Sequence, residues 1–184
     1  MAFHRRTTAL KRGFTLAEVL VTLAIIAVMA AVLLPALNSQ LSKGDTGRLA
    51  SDLTNIQTAA QAFVSDVHRF PASTAELTTA ITSGSADLLT VTIPATLVAK
   101  WKGPYLAKDA VANTAGGVIS PTFTSVAGAN SVNYLTVSVT GISVSDFADI
   151  ENILDEGTSS STSSSLGNIR YTGTTLTFLA IPIQ

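Results

Sequence analysis

The residues of this sequence that could take part in a specific reaction or charge pair lie where a short basic segment is followed by a long apolar one. Glu18 is the only charged residue between positions 14 and 37, and the pair Gly13-Phe14 lies just before it. A carboxylate inside hydrocarbon is costly, so such a group usually has a partner. A cut after Gly13 would create one, because the new amine on Phe14 would be largely protonated at neutral pH. The plainer alternative is that Glu18 reaches the interface of an ordinary membrane anchor.

A charge pair of this kind fits a stack of identical chains. Glu18 of one copy would meet the Phe14 amine of its neighbour, and both charges would be compensated within an apolar filament core. Such a pair would also set the axial register of the stack. The sequence therefore predicts an assembly site rather than a catalytic one.

No other group of residues suggests catalysis, a metal or a cofactor. His4 lies in the basic leader, while His68 has no companion His or Cys and Asp66 alone makes no triad. The chain has no cysteine, which excludes thiol catalysis, a Cys-based zinc site and a disulfide. A glycine-rich phosphate loop is also missing from the sequence. We predict that the protein is not an enzyme and has no cofactor.

The leader holds much of the positive charge. A cut after Gly13 removes four of the 11 basic residues, leaving 7 basic and 12 acidic ones and a net charge of −5. Direct nucleic-acid binding through charge is therefore not expected. The four leader cations also predict a cytoplasmic N-terminus, with the chain beyond the apolar segment outside.

The element that positions Glu18 is a predicted transmembrane helix over residues 14–37. A helix of 24 residues spans roughly 36 Å, which exceeds a bilayer core of roughly 30 Å. Apolar residues cover all of its faces, unlike those of a helix lying on a globular core. Alternatively, residues 1–36 form a secretory signal cut near Leu34-Pro35-Ala36, although that stretch lacks a clean small-x-small pattern.

Residues 38–70 are predicted to be the amphipathic second half of the same helix. Apolar residues recur there at alternating spacings of four and three: Leu49, Leu53, Ile56, Ala60, Phe63 and Val67. Pro35, Gly44 and Gly47 predict a helix break, kinked or locally melted, within residues 35–47, which could extend under load. Pro71 predicts a helix end near Arg69-Phe70.

Residues 71–184 are predicted to form an αβ-loop followed by a sheet domain. In the loop we expect a short helix from a capping box at 73–76 to about Ile81, a short strand over 88–93, and a tight turn at 101–105. Strands are expected at 117–126 and 132–139, a helix at 143–156, and a hairpin at 168–183 around Gly173. The Ser/Thr segment 157–165 is predicted to be a flexible linker, with glycosylation as an alternative to simple disorder.

The helix at 143–156 combines an apolar face with a cluster of acidic residues. The face comprises Val144, Phe147, Ile150, Ile153 and Leu154, and the acidic residues are Asp146, Asp149, Glu151, Asp155 and Glu156. A cation site is one interpretation of the cluster. A solvated acidic face is the preferred one.

The stretch KRG-FTLAEVLVTLAIIAVMAAVLLPAL resembles the N-terminus of the type IV pilin and type II secretion pseudopilin superfamily. The resemblance implies a prepilin peptidase that cuts after Gly13 and methylates Phe14, with Glu18 as the assembly glutamate and Pro35 as a helix-loosening proline. It also implies an α+β, ladle-shaped subunit, with a long N-terminal helix packed on a small antiparallel sheet.

Two further features favour a pseudopilin. Residues 101–106 are similar to the W-x-GPYL segment of the major pseudopilin, and the disulfide of many type IVa pilins is missing. That pseudopilin also has a calcium-holding loop. Asp109 and Asn113 alone do not supply the six to eight oxygens that calcium needs, so calcium is not expected here.

The resemblance thus implies a structural filament subunit, most closely a type II secretion pseudopilin. Its partners would be further copies, other pilins, the prepilin peptidase and an inner-membrane assembly platform. The location would be the bacterial inner membrane and then a periplasmic or extracellular filament. The alternatives are a type IV or competence pilin of a surface fibre, and an anchored or secreted protein that does not polymerise.

Overall fold

The computed structural model describes residues 13–107, 117–128, 131–155, 165 and 167–183. The leader before Gly13, Asp109 and Asn113, Glu156 and nearly all of the Ser/Thr segment lie outside the described residues. The chain forms two compact units, one reaching to Gln40 and the other beginning at Leu41. The second unit contains all of the strands.

The first element, α1, is a single helix over Leu16–Val67, 52 residues long. It runs as one continuous helix through Pro35, Gly44 and Gly47, so the predicted local melting at these residues is wrong, whereas the predicted kink stays a prediction. A proline removes one backbone donor and each glycine costs about 1 kcal/mol in a helix interior. The backbone bonds on either side of these residues evidently outweigh these local costs. The helix ends at Val67, where His68 adopts a φ of 60°, close to the predicted end.

The second half of α1 supplies the core of the larger unit. The predicted stripe is confirmed, because all six of its residues are 0% exposed. Across the core lie Leu135, Val137 and Val139, which alternate along one strand and are also fully buried. Alternation with period two places them on one sheet face, which packs against the helix stripe.

In the described part of the chain, the sheet has five antiparallel strands. They are β1 (Val118–Ile119), β2 (Thr124–Ala127), β3 (Asn133–Thr140), β4 (Ile169–Thr172) and β5 (Thr175–Pro182). The order is β1-β3-β5-β4, and β2 also pairs with β3. The strands predicted within residues 117–126 and 132–139 and the hairpin at 168–183 are confirmed, with Gly173 at a φ of 66° in the β4–β5 turn. The expectation of an α+β fold with a long N-terminal helix and a small antiparallel sheet is confirmed.

Two expectations for the connecting segment need correction. The predicted helix to Ile81 is only α2, Ala75–Thr78, and it lacks a side-chain cap. The hydroxyl of its N-cap residue Thr74 donates to the carbonyl oxygen of Pro121 at 3.3 Å, and Glu76 Oε2 accepts from the backbone N of Ala72 at 2.8 Å. A further short helix, α3, covers Ala95–Val98. The predicted strand over residues 88–93 is instead a turn around Asp87.

The carboxylate of Asp87 explains that turn. Its Oδ1 accepts from the backbone N of Leu89 at 3.0 Å and of Val91 at 2.8 Å. Its Oδ2 lies 3.4 Å from Arg69 Nη1, and the Asp87 side chain is only 2% exposed. Backbone donors that a strand would offer to a neighbouring strand are therefore taken by one buried side chain.

The last helix, α4, covers Val144–Leu154 and begins at the predicted cap, where Ser143 Oγ accepts from the backbone N of Asp146 at 3.2 Å. Phe147 and Ile150 are buried as predicted, but Val144 and Ile153 are 53% and 54% exposed. The predicted apolar face is thus too wide, since residues nine apart on this helix lie on opposite edges of the contact. Glu151, which was predicted to belong to a solvated acidic face, is buried at 3% exposed.

The predicted aromatic turn at 101–105 is confirmed. The Trp101 and Tyr105 rings meet edge to face with centroids 5.7 Å apart, and Tyr105 meets Phe63 of α1 in the same way at 5.8 Å. Gly103 lies against both ring systems of the turn. A Cβ there would lie 2.5 Å from a Trp101 ring carbon and 2.9 Å from a Tyr105 ring carbon.

We therefore expect Gly103→Ala to destabilise the protein by about 1–3 kcal/mol, because the rings must move off their contacts. Chemical unfolding of the full chain in detergent measures this change. Gly47→Ala is the matched control: nothing lies within 4 Å of a Cβ there, and alanine is the better helix former by about 1 kcal/mol. Equal stability of the Gly103 variant and the wild type would contradict close packing in the turn.

Candidate processing and assembly site

The Gly13–Phe14 bond lies outside helical structure. Helix α1 begins at Leu16, and Phe14 is 90% exposed. Nothing lies within 4 Å of a Cβ built on Gly13. A peptidase needs its substrate backbone free of helical hydrogen bonds, and this bond meets that requirement.

Glu18 closes the first turn of α1 through a reciprocal pair of bonds with Thr15. Thr15 Oγ1 accepts from the backbone N of Glu18 at 3.2 Å, while Glu18 Oε2 accepts from the backbone N of Thr15 at 3.0 Å. The Thr15 hydroxyl also lies 3.1 Å from Glu18 Oε2. This is a capping box, which satisfies two backbone donors at the helix start.

This capping box is not among the features predicted above from the sequence. Its signal, Thr-x-x-Glu just before an apolar run, is present at residues 15–18. The carboxylate of Glu18 therefore has local partners within a single chain. A carboxylate has about four acceptor positions, so the capping bonds leave capacity for an amine from another molecule.

The apolar half of α1 is uncovered. Every described residue from 13 to 38 is exposed, and the large apolar side chains from Phe14 to Leu37 range from 47% to 90% exposed. By length and composition, α1 is the one helix in the described part of the chain that could cross a membrane. So much bare apolar surface requires lipid or other protein around it.

The structure brings only part of the predicted site together. Gly13, Phe14 and Glu18 lie within six consecutive residues, whereas Pro35, Gly44 and Gly47 lie more than four helical turns further along α1. His68 is exposed, and its Nδ1 lies 3.2 Å from the Asp66 carbonyl oxygen. In the residues that the structure describes, no three His, Cys, Asp or Glu side chains cluster as a metal site would need.

A cluster of polar side chains links the C-terminal end of α1 to the aromatic turn at 101–105. Asp66 Oδ1 lies 3.1 Å from Lys102 Nζ, and the Tyr105 hydroxyl donates to Asp66 Oδ2 at 3.0 Å. The same hydroxyl accepts from the backbone N of Lys102 at 2.9 Å. Hydrogen bonds from Lys102 and Tyr105, together with the Lys102 charge, lower the pKa of Asp66, and burial raises the pKa of Tyr105.

A lowered pKa makes this cluster sensitive to acid. Its stabilisation is complete above the ordinary aspartate pKa of 3.8 and is lost as the pH falls through the lower, folded value. We expect wild type to unfold at a higher temperature than Asp66→Asn at pH 6 and the two midpoints to converge below about pH 3.8. Taking the difference between the chains cancels Glu76, whose pKa burial raises and which therefore acts in the opposite sense. A difference that stays constant down to pH 2 would contradict this role for Asp66.

Comparisons with known proteins give one family match and two similar proteins. A family model described as the prokaryotic N-terminal methylation motif matches residues 9–34. The type II secretion system core protein G of Escherichia coli (strain K12) is 35% identical over 66 residues, which is 36% of this chain and 46% of that protein. The protein of the same name from Klebsiella pneumoniae is 31% identical over 77 residues, 42% of this chain and 55% of that protein.

The chain thus spans about half the length of the curated relatives it matches. No solved structure matches it significantly. The resemblance predicted from the sequence is confirmed in the region that carries the motif, and the architecture is pilin-like. The chain thus matches the prokaryotic N-terminal methylation motif over residues 9–34 and resembles type II secretion system core protein G over part of its length.

Proposed function

We propose that this protein is a structural subunit of a type IV pilus-like filament, most closely a type II secretion pseudopilin. One observation carries the proposal: a methylation motif whose Gly13–Phe14 bond lies outside the helix opens an apolar segment that no described part of the chain covers. An ordinary membrane anchor would also have an exposed apolar segment, but it would not need the methylation motif. The similarity to core protein G favours the secretion type among pilin-like filaments.

The proposed assembly has two stages. The helix segment 14–37 first anchors the chain in the inner membrane, with the leader in the cytoplasm, where a prepilin peptidase removes residues 1–13 and methylates Phe14. The segment then leaves the lipid and packs against the same segments of other copies. Contact between apolar helices stabilises the filament core, and Glu18 of one copy pairs with the Phe14 amine of the next.

Extraction from the membrane needs energy from elsewhere. No glycine-rich phosphate loop occurs in the sequence, so an inner-membrane assembly platform would drive this step. The protein would act as a building block and as the substrate of its processing enzyme. Other pilin-like subunits would be its natural partners.

The proposal is tested on the mature chain. Mass analysis is expected to show a polypeptide that begins at Phe14 and carries one added methyl group. Electron microscopy of a sheared fraction is expected to show thin filaments containing this chain. A mature protein that retains residues 1–13, or a processed one that stays monomeric when expressed with the assembly machinery, would refute the proposal.

A surface fibre is the second candidate, because the methylation motif by itself does not separate pilins from pseudopilins. Imaging of whole cells with and without this chain distinguishes the two. Surface filaments that depend on the chain at native expression would favour a pilin, and loss of exoprotein secretion without loss of surface filaments would favour a pseudopilin.

A further inference from the structure

Arg170 is a buried cation on the sheet that the proposed mechanism does not use. It lies in β4 between Ile169 and Tyr171, which belong to the hydrophobic core. Because successive side chains of a strand point to opposite faces, Arg170 lies on the sheet face turned away from that core. Even there it is only 9% exposed.

The hydrogen bonds of Arg170 satisfy only part of its guanidinium group. Its Nη1 donates to the carbonyl oxygen of Ala127 at 2.8 Å. Its Nε is buried and has no hydrogen-bond partner. Within the described part of the chain, the ion pairs join Arg69 to Asp87 and Lys102 to Asp66, and none reaches Arg170.

A buried cation with one carbonyl acceptor is expensive to keep. Removing a guanidinium from water costs several kcal/mol, and a carboxylate with matched hydrogen bonds is the usual compensation. The planar fork of arginine fits a carboxylate through two parallel bonds. The structure therefore has the cationic half of such a pair.

The charge distribution indicates where the other half comes from. Residues 109–169 contain no Lys or Arg but include six carboxylates: Asp109, Asp146, Asp149, Glu151, Asp155 and Glu156. Arg170 is the only basic residue after position 108. Carboxylates thus outnumber cations in this part of every copy, and Asp146, Asp149 and Asp155 are partly exposed whereas Glu151 is buried. Repeated contact between two different surfaces of one chain produces an open helical filament.

We infer that Arg170 is an interface residue that receives a carboxylate from a second copy of this chain when the filament forms. The inference rests on the proposed filament function and adds one specific polar contact between the globular parts of neighbouring copies. A role confined to holding Ala127 in place, or the binding of a small free anion, would be a different function for the same group.

The experiment compares wild type, Arg170→Gln, Arg170→Lys and the control Lys100→Gln, which removes an exposed cation. Filament yield in a sheared fraction is measured relative to processed protein in the membrane. The thermal midpoint of the unassembled full chain is measured in detergent, with and without inorganic phosphate. We expect Arg170→Gln to lower filament yield at least tenfold with an unchanged or higher midpoint, Arg170→Lys to be intermediate, and Lys100→Gln to match wild type.

Three results would overturn the inference. One is a wild-type filament yield from Arg170→Gln. Another is a fall in the midpoint of that variant large enough to account for the lost filaments, which would show that Arg170 only holds Ala127. The third is a phosphate-dependent rise in the midpoint of wild type that Arg170→Gln lacks, which would show a small-anion site. If wild type itself makes no filaments, the proposed function fails instead.

Discussion

Gly13→Val is expected to leave the leader attached to nearly all of the protein. Valine places a branched side chain at the residue before the scissile bond, where the methylation motif has glycine. The variant should not disturb folding, because Gly13 precedes α1 and nothing lies within 4 Å of a Cβ there. Gel mobility and the mass of the membrane-inserted chain measure the fraction that is cut.

Gly44→Ala is the matched control for this variant. It also adds a Cβ where nothing lies within 4 Å, but at a position inside the helix and far from the cut. Normal processing of this control together with an uncut Gly13→Val chain would locate the effect at the scissile bond. Efficient cleavage of Gly13→Val would contradict the role of Gly13 as the processing glycine.

The long-period features of the fold could be predicted from the sequence. The stripe from Leu49 to Val67 repeats over five turns, and β3 alternates over eight residues. Each pattern places its apolar side chains on one face, and the burial of that face determines the secondary structure. Such patterns average over many side chains. A single exception, such as the fully buried Thr136 on the other face of β3, does not alter the result.

The features that depend on one side chain could not be predicted in this way. Asp87 replaces a predicted strand with a turn because its carboxylate takes two backbone donors. Conversely, Pro35 does not melt α1 locally, since one missing donor is a small loss in a helix of 52 residues. Helix propensity indicates which residues destabilise a helix. It does not show whether the rest of the helix compensates for them.

The candidate site shows the same division. Gly13, Phe14 and Glu18 could be proposed as site residues from the sequence because their spacing is a motif in itself. The burial of Arg170 could not be predicted. The alternation of side chains in β4 does not show whether an arginine on the outer face of the sheet is exposed to water or buried by other residues. Only the fold reveals that this cation has a single carbonyl acceptor.

Glu18→Ala is expected to lower filament yield at least tenfold while the protein is still cut and inserted in the membrane. The substitution removes both the capping bonds to Thr15 and the carboxylate that would pair with the Phe14 amine of a neighbour. Loss of the cap frays only the first turn of a 52-residue helix, so the anchor should persist. The yield of sheared filaments per processed subunit is the measurement.

Two companion variants separate the cap from the charge. Thr15→Ala removes the hydroxyl of the capping box but keeps the carboxylate, whereas Glu18→Gln keeps an oxygen acceptor for the Thr15 backbone N and removes the charge. If the pair with the amine controls assembly, Glu18→Gln should be as defective as Glu18→Ala, and Thr15→Ala should retain most of the filament yield. The reverse order would mean that Glu18 acts by closing the helix start within its own chain. In that case, contacts between the globular parts of neighbouring copies, such as the one proposed for Arg170, would have to set the register of the filament.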